Sequence, residues 1–137
     1  MLLIIYPTIS PAIIVGIINK DKILLTKYSR GSYKKYGLVA GYTEIGETLE
    51  ETVQREVMEE VGLKVKNIRY YKNQPWAFSN SLLVGFFADL DGSDEVSLDK
   101  NELAIAEWFR YDEMPPIESN ISLTSNMMQE FININTK

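Results

Sequence analysis

The spacing of apolar and polar residues predicts a chain in which strands are interrupted by two helices. Runs of apolar, β-branched residues and stretches of alternation predict strands at residues 12–18, 23–27, 36–40, 65–71, 82–90 and 103–110. Residues 19–22 are polar, separate the first two strands and predict a hairpin turn. Apolar residues at helical spacing predict helices over residues 48–61 and 121–132.

The first helix carries its own start and stop signals. Thr48, followed three residues later by Glu51, matches a capping box and places the helix start near Thr48. Gly62 suits the left-handed position that ends a helix. Between these limits an apolar residue recurs every four positions, so the helix has a core-facing stripe made of Val53, Val57 and Val61.

The second helix also has an apolar stripe, and this stripe is expected to be core rather than a binding groove. Its members are Leu123, Met127, Met128 and Phe131. The chain is 45% hydrophobic and 24% charged, a balance typical of a globular domain. The pattern therefore predicts a single α/β (α+β) domain over residues 1–137, with a mixed central sheet between the two helices.

The first helix has an acidic face with two possible explanations. Glu59 and Glu60 follow Glu56 by three and four residues, so the three side chains are expected to share one face. Like charges at this spacing destabilise a helix by a few tenths of a kcal/mol per pair, roughly. A face of this kind is usually just solvated, but a divalent cation would also offset the repulsion, since hard cations prefer carboxylate oxygens.

Composition limits the chemistry and the partners. The chain has no cysteine and no histidine, which excludes disulfides, thiolate zinc sites and histidine-based triads, and leaves carboxylates as the natural bases and ligands. The net charge of −5 argues against broad binding to DNA. The apolar residues 1–5 are too short for a signal peptide or a membrane span, so we expect a cytoplasmic protein without a membrane partner.

One segment carries a specific motif. The chain follows the pattern G-x5-E-x7-R-E-V-x-E-E-x-G-L, formed by Gly41, Glu47, Arg55, Glu56, Val57, Glu59, Glu60, Gly62 and Leu63. This pattern resembles the Nudix box with no departure at its defining positions. The resemblance implies the Nudix α/β/α sandwich and hydrolysis of a pyrophosphate linked to a nucleoside or similar group, with Mg²⁺ or Mn²⁺ and no zinc.

The resemblance also implies roles for the acidic residues. Glu56 and Glu60 are expected to be the principal metal ligands, with the Ala40 carbonyl and Glu102 completing the site. Either Glu59 or Glu102 would take the proton from the attacking water, and Glu59 is also a candidate ligand for a second cation.

Two further residues of the motif have supporting roles. Glu47 would support the acidic cluster, or bind metal when substrate is present. Arg55 would orient the carboxylates through charge-assisted hydrogen bonds.

A second motif lies downstream and narrows the substrate. Residues 73–81 resemble the S-Q-P-W-P-F-P-x-S signature of the NADH pyrophosphatase branch of Nudix enzymes, with matches at Gln74, Pro75, Trp76, Phe78 and Ser81. Asn73 stands where the signature has Ser. Ala77 and Ser79 replace its two later prolines, so a loop less rigid than the family's is expected here.

The matching residues are candidates for substrate binding. Trp76 and Phe78 offer flat apolar faces, while Gln74 and Ser81 offer polar edges that suit a stacked base. A tryptophan in a loop is otherwise more often a core plug or an interface anchor. Tyr42, directly after the box glycine, is a second stacking candidate.

The expected reaction is therefore cleavage of NADH or NAD⁺ into AMP and the corresponding nicotinamide mononucleotide. NAD-capped RNA contains the same bond and is less favoured by the acidic pI near 4.8, although the basic segment 29–35 leaves it open. The alternatives are a broader nucleotide or nucleotide-sugar pyrophosphatase and a non-catalytic domain that senses a nucleotide. The resemblance also implies a homodimer. Many members of the NADH pyrophosphatase branch carry a four-cysteine zinc ribbon before this domain, and this sequence has no cysteine.

Overall fold

The computed structural model describes residues 8–28, 35–76, 80–99, 103–117 and 122–137. Six strands and two helices follow one another within these ranges. They are β1 (Ser10–Asn19), β2 (Lys22–Tyr28), β3 (Val39–Tyr42), α1 (Leu49–Val61), β4 (Val65–Trp76), β5 (Ser81–Leu90), β6 (Leu103–Arg110) and α2 (Leu123–Asn135).

The strands form one mixed sheet in the order β4-β5-β1-β2-β6, with β3 beside β1. β1 runs parallel to β5 along almost its whole length. Its other edge is shared, since β3 pairs with the beginning of β1 and β2 pairs with its end, both antiparallel. The predicted hairpin is confirmed: Asn19 pairs with Lys22, and Lys20 has a positive φ of 58° in the turn.

Each face of the sheet is covered by one helix, which confirms the predicted sandwich. The α1 face packs Val53, Val57 and Val61 against the strands, and all three are fully buried. The α2 face packs Leu123, Met127, Met128 and Phe131 in the same way, so the second stripe is core. Each fully buried side chain of this size contributes about 1.5–3 kcal/mol to the free energy of unfolding.

The ends of α1 follow the local sequence signals. Thr48 is the N-cap: its hydroxyl accepts a hydrogen bond from the Glu51 N–H at 3.1 Å, and the Glu51 carboxylate accepts one from the Thr48 N–H at 2.9 Å. Gly62 ends the helix in the left-handed conformation, with φ 67°. These contacts set both ends of α1, in the segment between β3 and β4.

Three predicted elements have the wrong bounds. The strand predicted at 36–40 lies at Val39–Tyr42, because the box glycine Gly41 continues the ladder by pairing with Ile13. The strand predicted to end at residue 71 continues to Trp76, so Gln74 and Trp76 lie on a strand and not in a loop. α2 runs to Asn135, three residues beyond its predicted end.

Some sequence predictions lie outside the described residues, namely the apolar start at residues 1–5 and most of the basic segment 29–35, of which Lys35 is described. Among the described helices, none is both long and apolar enough to cross a membrane.

Candidate active site

Arg55, in the middle of α1, is the centre of an acidic cluster. Its Nε donates to Glu47 Oε2 at 2.7 Å, and its Nη1 donates to Glu56 Oε1 at 2.8 Å and to Glu59 Oε2 at 3.2 Å. Its Nη2 donates to the Tyr42 carbonyl at 3.0 Å. One guanidinium group therefore joins three carboxylates to the end of β3, and these neighbours raise its pKa.

Glu47 is held by donors on both of its carboxylate oxygens. Besides Arg55, its Oε1 accepts from the Thr52 hydroxyl at 2.7 Å and from the Glu44 N–H at 3.1 Å. These bonds, those from Arg55 first, lower the pKa of Glu47 to about 2. Of the two roles expected for Glu47, this geometry favours support of the cluster.

Glu56 lies against the backbone of β3 at Gly41. A Cβ atom placed on Gly41 would be 2.2 Å from the carboxyl carbon of Glu56, so only glycine leaves room for the carboxylate. The Glu56 side chain is 12% exposed. The close approach of the Glu56 carboxylate therefore requires glycine at position 41. It holds Glu56 of α1 against β3, the strand that also carries Ala40.

The expected common face for the three acidic residues of α1 is only partly correct. Glu60 is 4% exposed, whereas the side chain of Glu59 is 57% exposed and reaches Arg55 from the solvent side. The residues differ because α1 lies flat on the sheet, so positions one apart point in directions about 100° apart. Glu56 and Glu60 lie on the covered side, and Glu59 lies on the open side.

These carboxylates suit a hard divalent cation in donor type, since oxygen is the ligand that Mg²⁺ and Mn²⁺ prefer. Within the described ranges, however, no group of three or more acidic side chains is arranged to hold a metal ion by itself. Arg55 lies among the carboxylates, and Glu102, the remaining candidate ligand, is outside the described residues. The cradle that Gly41 provides for Glu56 is the feature that best fits a bound cation.

A cleft opens on the opposite side of β3, on the α2 face of the sheet. Its larger part has a volume of about 760 Å³ and is lined by Ala40, Trp76 and Lys35, among others. Its smaller part, about 320 Å³, is lined by Tyr42, Ser81 and Trp76. Trp76 and Gln74 line both parts, so the end of β4 borders each of them. The cleft is large enough for a nucleotide.

The candidate substrate-binding residues differ in their exposure and in their hydrogen bonds. Trp76 is 44% exposed and presents its ring to the cleft. Ser81 is buried and shares a hydrogen bond of 3.1 Å with the Tyr42 hydroxyl. Gln74 Oε1 accepts a hydrogen bond from the Leu123 N–H at the start of α2, at 2.9 Å. Phe78 lies outside the described residues.

Two parts of the site were not predicted from the sequence. Thr52 is fully buried, and its hydroxyl bonds to Glu47 as well as to Thr43 at 3.1 Å. The hydroxyl-bearing residues at the start of α2 line the cleft, namely Ser122, Thr124 and Ser125. Ser122, directly before the apolar stripe of α2, was a visible N-cap signal, but its position in the cleft depends on tertiary packing.

Comparisons with known proteins identify relatives of this chain. The NUDIX domain family matches residues 8–131. The chain is 44% identical over 127 residues to the NAD-capped RNA hydrolase NudC of Photorhabdus laumondii, covering 93% of this chain and 49% of that protein. It is 52% identical over 110 residues to the protein of the same name from Erwinia tasmaniensis, covering 80% of this chain and 42% of that one. The chain thus spans about half the length of these curated relatives, or less.

Solved structures agree in fold. A NUDIX hydrolase from Nitrosomonas europaea superposes with a TM-score of 0.83 at 23% identity, covering 98% of this chain and 76% of that chain. A MutT NUDIX hydrolase from Burkholderia pseudomallei superposes with a TM-score of 0.70 at 20% identity, covering 91% and 98%. The box, its place on β3 and α1, and the match over most of the chain lead to one conclusion: this chain belongs to the NUDIX domain family.

Proposed function

We propose that this chain hydrolyses the pyrophosphate bond of an NAD-type dinucleotide, with NADH or NAD⁺ giving AMP and the corresponding nicotinamide mononucleotide. The observation that carries the proposal is the position of Trp76. It places an aromatic ring from the NADH pyrophosphatase signature in a cleft that begins at Ala40, next to the glycine that cradles Glu56. The acidic cluster and the cleft thus meet at β3.

The proposed metal ligands are Glu56 and Glu60, with the Ala40 carbonyl and Glu102. A bound Mg²⁺ or Mn²⁺ would supply charge neutralisation at the diphosphate and a lowered pKa for a water molecule. Arg55 holds the Glu56 carboxylate in place through its 2.8 Å hydrogen bond. Glu47 in turn holds Arg55, so the orientation of the Glu56 carboxylate is set before substrate arrives.

Carboxylates would handle the proton, and aromatic residues of the cleft would hold the substrate. Glu59 or Glu102 takes the proton from the water that attacks phosphorus. The bond from that phosphorus to the bridging oxygen breaks, and this oxygen leaves with the phosphate of the other nucleotide. Trp76 and Tyr42 stack on the rings of the substrate, since both are about half exposed at the cleft. Lys35 lines the larger part of the cleft, where its positive charge would attract the phosphate groups of the substrate.

NAD-capped RNA is a second candidate substrate, because the relatives from Photorhabdus laumondii and Erwinia tasmaniensis are named NAD-capped RNA hydrolases. It contains the same pyrophosphate bond, so the same cluster would cleave it. The net charge of −5 opposes long contacts with an RNA backbone. We therefore expect recognition to be confined to the cap.

The test is a panel of NADH, NAD⁺, NAD-capped RNA, ADP-ribose, FAD, dinucleoside polyphosphates and nucleoside triphosphates, each with Mg²⁺ or Mn²⁺ and with a chelator. We expect metal-dependent release of AMP from NADH or NAD⁺. Turnover of triphosphates alone would contradict the substrate and leave a broader pyrophosphatase. Nucleotide binding without turnover of any substrate would instead indicate a sensing domain.

We also propose a homodimer in which Trp76 lies near the subunit boundary. Trp76 is a large, exposed apolar residue on β4, which is an edge strand of the described sheet. Trp76→Ala is expected to weaken both self-association and NADH binding. Sedimentation at micromolar protein, with Ile134→Ala as a matched change at another exposed apolar position, tests this. A wild-type monomer with full activity contradicts it.

A further inference from the structure

We infer that Gln74 is a positioning residue that fixes the start of α2 as a wall of the cleft, rather than a residue that reads the substrate. The bond that supports this joins the Gln74 Oε1 to the Leu123 N–H at 2.9 Å, across 49 positions of sequence. It is a direct link between β4 and α2 on the face of the sheet where the cleft opens.

The start of a helix needs such a partner, because its first N–H groups have no acceptor within the helix. The Ser122 hydroxyl accepts from the Ser125 N–H at 3.1 Å, and the Ser122 carbonyl accepts from the Asn126 N–H at 3.0 Å. Gln74 accepts from the Leu123 N–H. Leu123 is 1% exposed, so water does not replace Gln74 without a rearrangement of the helix start.

The same helix start forms part of the cleft. Ser122 and Thr124 line both of its parts, as Gln74 does, and Ser125 lines the larger part. α2 also packs against β5, since a Cβ on Gly85 would be 2.9 Å from the Met127 sulfur and 3.4 Å from Leu123 Cδ1. The side chains of Met127 and Leu123 therefore anchor α2 by packing, and the bond from the Leu123 N–H to Gln74 adds a polar anchor at the cleft wall.

Two substitutions separate positioning from substrate recognition. Gln74→Glu retains an oxygen that accepts from the Leu123 N–H, and negative charge is favourable at a helix N-terminus. It removes the amide N–H donors that recognition of a base would use. Gln74→Met retains length and bulk and removes the acceptor. The two variants should therefore differ if Gln74 acts through α2, and should be equally impaired if its amide donates to substrate.

Gln129→Met is the matched control on α2. Gln129 donates to the Asn133 side chain at 3.0 Å in an exposed contact, and the residues that line the cleft do not include it. Gln129→Met makes the same chemical change as Gln74→Met, but on α2 itself and away from the cleft. We therefore expect wild-type exchange at the helix start and a wild-type KM.

The experiment combines hydrogen–deuterium exchange over residues 122–128 with steady-state kinetics on NADH and Mg²⁺. In Gln74→Met, exchange at the helix start should be at least about fivefold faster, the scale of losing a partner for a buried N–H. Its KM should rise by about the same factor with kcat changed less. Gln74→Glu should keep slow exchange and a KM near that of the wild type.

Two outcomes overturn the inference. One is wild-type exchange at the helix start in Gln74→Met. The other is a KM raised equally in Gln74→Glu and Gln74→Met, which assigns the amide donor to substrate. The kinetic part rests on the proposed function, but the exchange part does not. A wild-type protein that fails to cleave NADH would therefore contradict the proposed function while exchange in the two variants still decides the role of Gln74.

Discussion

Gly41→Ala tests whether Glu56 needs the space that glycine leaves on β3. The added Cβ would be 2.2 Å from the Glu56 carboxyl carbon and 2.5 Å from each carboxylate oxygen, whereas ordinary contact begins at 3.4 Å. The carboxylate must therefore retreat by about 1 Å, a displacement that costs on the order of 10²-fold in rate at a reacting centre. We expect kcat to fall by about that factor.

The stability of the protein should change little in the same variant. The Glu56 carboxylate is the flexible end of a long side chain, so its displacement costs about 0.5–1.5 kcal/mol in rotamer strain. Replacing glycine by alanine within a strand recovers about 0.5–1 kcal/mol. We therefore expect the free energy of unfolding in urea to change by less than about 1 kcal/mol while turnover falls about 10²-fold.

A double-mutant cycle isolates the contact. In a Glu56→Ala background the carboxylate is absent, so adding Gly41→Ala should lower neither turnover nor stability further. Turnover in Gly41→Ala within twofold of the wild type would refute the reasoning, because it would show that Glu56 need not occupy the cradle. Equal losses of stability in both backgrounds would show that the strain lies in the backbone.

Further predictions concern single residues. Glu60→Gln should lower kcat by at least about 10²-fold at saturating Mg²⁺, and near-normal turnover would show that Glu60 is not a ligand. Glu47 has a pKa lowered from 4.5 to about 2, so its contribution to stability is present above pH 4.5 and is lost as the pH falls towards 2. The difference in urea midpoint between wild type and Glu47→Gln should therefore shrink over that interval, and a constant difference would contradict the assignment. Phe131 is fully buried, so Phe131→Ala should lower the free energy of unfolding by about 3–5 kcal/mol, measured in urea beside the exposed Ile134→Ala.

The elements that the sequence predicted well are those specified by neighbouring residues. α1 begins at its capping box, ends at Gly62 and buries its valine stripe because all three signals lie within one segment. The bounds of β4 were missed because Pro75 favours a loop. β4 is an edge strand of the described sheet, and a proline is tolerated there since one side of the strand needs no ladder donor.

The same distinction applies to the site: contacts within one segment were predicted, and contacts between distant segments were not. The box motif predicted that Arg55 orients carboxylates, and the structure places it in contact with Glu47, Glu56 and Glu59. The bond from Leu123 to Gln74 joins residues 49 positions apart, so no local pattern indicates it. The burial of Glu60 likewise depends on how α1 rests on the sheet, which spacing along the helix does not specify.

The parallel pairing of β1 with β5 has a consequence for how much of the chain each part of the site requires. Ser10 lies beside Ser81, so this ladder closes a long loop before it gains any hydrogen bond. The cluster around Arg55, by contrast, is built almost wholly within residues 42–59 and closes only short loops. The contacts around Arg55 therefore need little of the chain to be ordered, whereas the cleft needs β5 docked beside β1 and α2 packed on the sheet.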